Sequence, residues 1–187
     1  ALALLWSVAE RPRWSAFWAL LAVVISHRWL LALHPLTWMG VPTWLSLPVA
    51  LSLWLACGVL AALLVAGWSV LARLLPRRWP WFWRLMLLAG LWALAELVLS
   101  GSPLFWIGIG GSTLPWDRPL AGVARWFGSG GLTLLQLCWG RCLLALFQQP
   151  AAWRRWGLIG LASVLLAHGL GSLLLWATPP SVGSVAM

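Results

Sequence analysis

Long runs of apolar residues dominate this chain, and they leave few folds open to it. Five stretches approach or exceed the roughly 20 apolar residues that a helix needs to cross about 30 Å of hydrocarbon. Hydrophobic residues make up 63% of the 187 residues and charged residues only 8%, whereas soluble domains carry about 25% charged residues. The sequence therefore predicts an all-α, polytopic transmembrane helical bundle, and it excludes a soluble globular domain and a disordered chain.

The apolar runs divide the chain into a membrane domain, 1–178, and a short terminal segment, 179–187. The segment Ala1–Ala9 is apolar but too short to span, and it is interpreted as the end of a truncated helix. Two prolines, Pro179 and Pro180, break the last helix, and the residues after them are strand-like in composition. We interpret 179–187 as a linker and the start of a further domain of a longer protein. Five full spans are predicted, at about 14–33, 44–72, 84–100, 121–147 and 156–177.

The arginines are distributed unevenly between the predicted loops. All twelve basic residues are Arg. Every second connection between spans is rich in arginine, whereas the connections between them contain a single arginine, Arg118, which lies next to Asp117. This positive-inside pattern predicts a multi-pass membrane protein with a cytoplasmic start and a C-terminus on the outer side. The net charge of +9 then reflects topology and contact with membrane lipids, and nucleic acid is not expected as a partner. The basic connections contain Arg11, Arg13, Arg73, Arg77, Arg78, Arg84, Arg154 and Arg155.

An ionisable residue inside a span costs at least about 2.5 kcal/mol on insertion scales, and four such residues lie in the outer parts of predicted spans. They reach a similar depth near the outer face and predict an intramembrane polar cluster. Glu96 is expected to pair with Arg28 or Arg125, since an ion pair would offset part of the cost of burial. Two interpretations stay open: a pair that holds helices together, and a site for a lipid head group. The cluster consists of His27, Arg28, Glu96 and Arg125.

The connection between the third and fourth spans, Gly101–Asp117, is apolar but rich in glycine and proline. Such a segment cannot form a regular helix, and irregular backbone at a bilayer must be buried in protein or line a cavity. We predict a loop that dips into the outer surface, with Phe105, Trp106 and Gly108 at an entrance for lipid or substrate. An ordinary interfacial anchor is the alternative for Trp106. Glycines 128, 130 and 131 in the fourth span are expected to permit close helix packing.

Residues that could carry chemistry are few. Cys57, Cys138 and Cys142 lie in apolar runs without the spacing of a metal site or a disulfide framework, so no metal and no cofactor are expected. Ser129 and His168 are predicted at similar depths of about 12–14 Å on adjacent helices, which leaves an intramembrane serine protease as one alternative. A transporter or a structural membrane subunit is the other alternative.

Several short motifs occur in an order and spacing that resemble the apolipoprotein N-acyltransferases of bacteria. In that family a Trp and a helix-ending Glu precede an aromatic turn and a Gly, and a glycine-rich entry to the next helix follows. Leu99 departs from the family, which usually carries Arg there, and a glycine replaces an aromatic in the external loop. The matching segments are Leu91–Glu96 with Phe105, Trp106 and Gly108; Pro119–Ala124 with Gly128, Gly131 and Thr133; and Arg28–His34 with Gly40–Pro42.

The resemblance implies a multi-pass domain in the bacterial inner (plasma) membrane, with a periplasmic C-terminus. This domain would anchor a periplasmic, nitrilase-like catalytic domain and shape lipid access to it. Such enzymes transfer an acyl chain from a phospholipid acyl donor to the α-amino group of the diacylglyceryl-cysteine of a diacylated lipoprotein substrate. Their chemistry belongs to a Glu-Lys-Cys triad, in which a thioester forms on Cys. This chain contains no Lys, so no catalytic residue is expected within it, and the chain alone is expected to be inactive.

Overall fold

The computed structural model describes residues 1–102 and 108–177, and every regular element in them is helical. The prediction of an all-α protein is therefore confirmed. Short 3₁₀ segments connect or extend the helices at Arg28–Leu33, Leu36–Met39, Gly110–Thr113 and Pro150–Ala152. The α-helices are α1 (Leu2–Ser7), α2 (Pro12–Ser26), α3 (Thr43–Leu74), α4 (Trp81–Leu99), α5 (Arg118–Gln148) and α6 (Trp153–Ala177).

Within the described residues, four helices are long and apolar enough to cross a membrane. They are α3 with 32 residues, α4 with 19, α5 with 31, and α6 together with the 3₁₀ turn before it. These helices lie where the last four spans were predicted. A helix needs a long apolar run to cross the bilayer, and such a run is visible in the sequence.

The first predicted span, 14–33, differs from a single α-helix. The helix α2 has 15 residues, which at 1.5 Å per residue is about 22 Å and shorter than the hydrocarbon core. After Ser26 the chain continues as the 3₁₀ segment Arg28–Leu33, a form that often ends α-helices. The apolar pattern is the same in both, so the sequence did not reveal the change.

The chain divides into two compact units, one formed by residues 4–80 and the other by residues 1–3 with the chain from Trp81 onward. In the unit 4–80, α2 packs on α3. Gly58 permits this contact, because a Cβ there would lie 2.8 Å from Cγ2 of Val24. The indole N–H of Trp54 donates to the Val24 carbonyl at 2.8 Å. That carbonyl lies in the last turn of α2, where carbonyl groups have no intrahelical hydrogen-bond donor.

Two buried serines connect the start of α2 to the end of α3 in the same unit. Ser15 and Ser69 are fully buried, and their hydroxyl oxygens are 3.1 Å apart. Ser15 also donates to the Val8 carbonyl at 2.7 Å and Ser69 to the Ala9 carbonyl at 2.6 Å. The turn between α1 and α2 is therefore held against α3 by hydrogen bonds that satisfy its buried carbonyls.

In the other unit, α5 packs against both α4 and α6. The crossing of α5 and α6 brings backbone against backbone: a Cβ on Gly122 would collide with the Gly171 carbonyl, and one on Gly171 with the Pro119 carbonyl. Gly128 interrupts α5 with φ 65° and ψ −177°, a conformation that a side chain would disfavour. Gly128 thus kinks the helix, whereas Gly130 is packed against the side chain of Leu97 as expected for close helix packing.

Candidate functional site

A buried carboxylate lies at the centre of the most polar part of the unit that contains α4, α5 and α6. Glu96, three residues before the end of α4, is only 8% exposed. Its Oε1 accepts a hydrogen bond from the Trp92 indole N–H at 3.1 Å, one helical turn earlier, and another from the Ile109 backbone N–H at 2.9 Å. Its Oε2 accepts from the hydroxyl of Thr133 on α5. Both carboxylate oxygens are therefore engaged by neutral donors.

Thr133 connects the carboxylate to the segment that precedes α5. It is fully buried, and its Oγ1 accepts from the Gly110 backbone N–H at 2.9 Å. One turn further along α5, the Gln136 side-chain amide donates to Oγ1 of Thr113 at 3.2 Å. Because residues three apart share a helix face, Thr133 and Gln136 hold the same segment, 108–113, which we call the docked loop.

Glycine allows the docked loop to come this close to the helices. A Cβ on Gly108 would collide with the carboxylate of Glu96, and one on Gly110 would collide with the Ser129 carbonyl and with Thr133. The third residue of the predicted entrance, Gly108, is thus placed directly against Glu96. Phe105 and Trp106 lie outside the described residues.

The hydrogen bonds from the protein replace much of the hydration that the carboxylate loses on burial. Each bond to a charged group contributes about 1.5–3 kcal/mol, and a donor left without its acceptor costs about 1–3 kcal/mol. Removing the carboxylate would leave the donors of Trp92, Ile109 and Thr133 unsatisfied together. We infer that Glu96 fastens the docked loop to α4 and α5, which is a positioning role.

The members of the predicted polar cluster lie in different parts of the structure. His27 and Arg28 belong to the unit 4–80, where the His27 ring lies 2.9 Å from the Ser26 hydroxyl and 3.2 Å from the Val23 carbonyl. Arg125 is exposed on α5. No ion pair joins Glu96 to Arg125 within the described ranges, and the cluster as a whole stays a prediction.

A second polar contact lies where α5 begins. Oδ1 of Asp117 accepts from the Leu120 backbone N–H at 3.2 Å, which caps the helix. Oδ2 of Asp117 lies 2.8 Å from Nε2 of His168 on α6, and Nδ1 of His168 lies 2.8 Å from the Val164 carbonyl. A carbonyl only accepts, so Nδ1 carries hydrogen. The His168 ring is also stacked on Trp139, with centroids 6.3 Å apart.

This contact bears on the serine protease alternative. Both ring nitrogens of His168 have partners other than Ser129, and Ser129 is exposed on α5. In the part of the chain that the structure describes, no hydrogen bond joins the two residues. A nucleophilic serine needs a base within hydrogen-bond reach, so this geometry does not favour a protease.

Sequence reasoning missed the roles of Thr133, Gln136 and the Asp117–His168 pair. A usable signal existed for the first two, since they are polar residues three apart in an apolar helix. No comparable signal existed for Ile109, because it binds Glu96 through its backbone amide, and the path of its loop is set by tertiary structure.

Comparison with known proteins finds curated relatives along the whole chain. The protein called apolipoprotein N-acyltransferase from Parasynechococcus marenigrum (strain WH8102) is 58% identical over 190 aligned positions, which cover 100% of this chain and 40% of the relative. The protein of the same name from Prochlorococcus marinus (strain MIT 9313) is 54% identical, covering 94% of this chain and 37% of the relative. A third, from Thermosynechococcus vestitus (strain BP-1), is 31% identical over 74% of this chain.

The chain spans about two fifths of the length of the first of these relatives. No family model matches the chain, and no solved structure does.

Proposed function

Because this chain belongs to the apolipoprotein N-acyltransferase family, we propose that it forms the membrane-embedded part of a lipoprotein N-acyltransferase. In the proposed reaction an acyl chain moves from a phospholipid donor to the α-amino group of a lipoprotein's diacylglyceryl-cysteine. The chemical steps belong to a Glu-Lys-Cys triad in a nitrilase-like domain outside these residues. The chain itself contains no Lys, and its three free cysteines lie within α3 and α5.

The proposed contribution of the membrane part is to anchor the catalytic domain and to shape the path by which lipid reaches it. The observation that carries this proposal is the docked loop, bound by Glu96, Thr133 and Gln136. An apolar, helix-breaking connection at a bilayer needs internal partners for its backbone. The three side chains supply them to the backbone of Ile109 and Gly110, which follow Phe105 and Trp106 in the sequence.

The proposed orientation places the docked loop on the periplasmic face of the inner membrane. Arginines lie at the start of α2, at the end of α3, at the start of α4 and at the start of α6. These four places share one side of the membrane if the helices span it in turn, and the positive-inside rule makes that side cytoplasmic. The end of α4, the docked loop and the start of α5 then face the periplasm, as does the region after α6.

The proposal is tested with the full-length protein that contains these residues, purified in detergent with phospholipid and a diacylated lipopeptide. Mass spectrometry should show the lipopeptide gaining one acyl chain at its α-amino group. The 187-residue chain alone, as a control, should give no transfer above background. Failure of the full-length protein to acylate the lipopeptide, when a known enzyme of this class does so in the same assay, would overturn the proposal.

A further inference from the structure

A cavity of about 440 Å³ lies in the unit 4–80, where α2 begins and α3 ends. The cavity lies at the C-terminal end of α3, where Arg73 is in the last turn, and not near Trp54 in the first half of that helix. The residues around it are Glu10, Arg11, Pro12, Arg13, Trp14 and Arg73.

The charge around the cavity is strongly positive. Glu10, which also lines the cavity, is the only acidic residue between positions 4 and 80. Its carboxylate lies 3.9 Å from the guanidinium of Arg77, a residue that does not line the cavity. Within the described residues, no carboxylate lies within ion-pairing distance of Arg11, Arg13 or Arg73. Three guanidinium groups around one cavity predict an anionic ligand, and their planar donor geometry suits phosphate oxygens.

The buried serines explain why these arginines come together. Ser69 precedes Arg73 by four residues in α3, and the Ser15 backbone N–H donates to the carbonyl of Arg11, the N-cap of α2. Each serine therefore lies one helical turn from an arginine. Ser69 donates to the Ala9 carbonyl at 2.6 Å, and its hydroxyl oxygen is 3.1 Å from that of Ser15, so the two buried serines hold the start of α2 beside the end of α3. The buried serines fix the backbone beside the cavity, and Arg11, Arg13 and Arg73 are exposed around it.

Aromatic surface beside the cavity indicates that the anion is attached to an apolar body. Trp14 lines the cavity and is 60% exposed, and its ring contacts the exposed Phe17 edge-on at 6.4 Å. Aromatic side chains next to arginines at the end of an apolar helix are typical of the level of lipid head groups. Basic cavities between helices at this level bind phosphate-containing head groups.

We propose that this cavity binds the phosphate head group of an anionic phospholipid, with the acyl chains running along the exposed face of Trp14 and Phe17. In the orientation proposed above, the lipid belongs to the cytoplasmic leaflet. The site and the proposed acyl transfer are independent: either can fail in experiment while the other holds.

The test compares lipid binding by three forms of the purified protein in detergent, measured as lipid adducts by native mass spectrometry with added phosphatidylglycerol. The cavity variant is Arg11→Gln, Arg13→Gln and Arg73→Gln together. The matched control removes the same charge at exposed positions that do not line the cavity, as Arg78→Gln, Arg154→Gln and Arg155→Gln. We expect the cavity variant to bind phosphatidylglycerol about tenfold more weakly, the equivalent of about 1.4 kcal/mol, and the control to stay within about twofold of the parent protein.

Two further measurements distinguish a lipid site from a site for free phosphate. Phosphatidylcholine should bind more weakly than phosphatidylglycerol to the parent protein, and millimolar inorganic phosphate should not displace the lipid. Displacement by phosphate alone would identify a free-phosphate site and overturn the lipid proposal. Equal loss of binding in the cavity and control variants would do the same, because it would show a general effect of charge.

Single substitutions keep the test decisive if the triple variant does not fold. Arg73→Gln lies at a helix end and should weaken lipid binding severalfold, while Arg73→Lys keeps the charge and should recover most of it. Unchanged binding in a folded Arg73→Gln protein, with parental circular dichroism and elution, would overturn the proposal.

Discussion

The hydroxyl of Thr133 on α5 donates a hydrogen bond to the carboxylate of Glu96 on α4 and at the same time accepts one from the backbone of the docked loop. One hydroxyl group thus connects two helices and a loop. Because a hydroxyl has a single hydrogen, the direction of both bonds is fixed when the carboxylate is charged.

Replacing Glu96 should separate the role of its hydrogen bonds from that of its charge. Glu96→Leu leaves the donors of Trp92, Ile109 and Thr133 without an acceptor, and we expect the free energy of unfolding to fall by about 3 kcal/mol. Glu96→Gln keeps an acceptor oxygen and should cost about 1 kcal/mol. Unfolding by sodium dodecyl sulfate in mixed micelles, followed by circular dichroism, measures both. Equal losses in the two variants would contradict the role assigned to these hydrogen bonds.

Thr133 should matter through its hydroxyl and not through its shape. Thr133→Val keeps the volume but removes the acceptor for the Gly110 N–H, so the amides of Ile109 and Gly110 should exchange hydrogen faster in the variant. The expected cost is about 1–2 kcal/mol. Thr133→Ser should behave like the parent protein, and Thr43→Val, at an exposed position in the other unit, serves as the control. Unchanged exchange in Thr133→Val would contradict the prediction.

Gly110 should not tolerate a side chain, whereas Gly90 should. A methyl group at Gly110 collides with the Ser129 carbonyl, while one at Gly90 meets nothing within 4 Å. We expect Gly110→Ala to displace the docked loop and to lower the free energy of unfolding by about 2 kcal/mol. Gly90→Ala should be neutral or stabilise α4 by up to about 1 kcal/mol, since alanine favours helix. The same unfolding measurement applies, and a neutral Gly110→Ala would show that the docked loop is loose.

The positions of the long helices could be predicted because a bilayer selects for apolar length, and apolar length is directly visible in sequence. The helices α3, α4, α5 and α6 accordingly begin and end within three residues of the predicted bounds. The break after Ser26 and the kink at Gly128 could not be predicted, because they depend on backbone conformation at positions where the apolar pattern does not change.

The candidate site was predicted in part. Glu96 stood out because a charge in an apolar span needs compensation, and it is indeed buried. Charge complementarity suggested arginine as the partner, but the hydrogen bonds come from an indole, a hydroxyl and a backbone amide. A backbone amide is present at every residue except proline, so composition carries no information about which one will reach a given carboxylate.

Reporter fusions should find the start of α4 and the end of α6 on opposite sides of the membrane, as the arginine pattern predicts. A fusion after Arg78, in the basic connection before α4, should report the cytoplasm, and a fusion at Ser181 should report the periplasm. A phosphatase that is active only outside the cytoplasm and a fluorescent protein that folds only inside it give complementary signals. Both fusions reporting the same side would overturn the proposed orientation.

Trp106 is expected to act on lipid entry in the full-length enzyme, because its segment is tied at one end to the docked loop and is placed on the periplasmic side in the proposed orientation. The described chain resumes two residues after Trp106 at Gly108, whose backbone lies against the Glu96 carboxylate. Trp106→Ala should lower the rate of acyl transfer about fivefold, the equivalent of about 1 kcal/mol, at equal expression. Trp83→Ala is the matched control, since Trp83 is an exposed tryptophan at the start of α4 and therefore lies on the cytoplasmic side in the same orientation. Equal transfer rates in the two variants would make Trp106 an ordinary interfacial anchor and would leave the docked loop with a structural role alone.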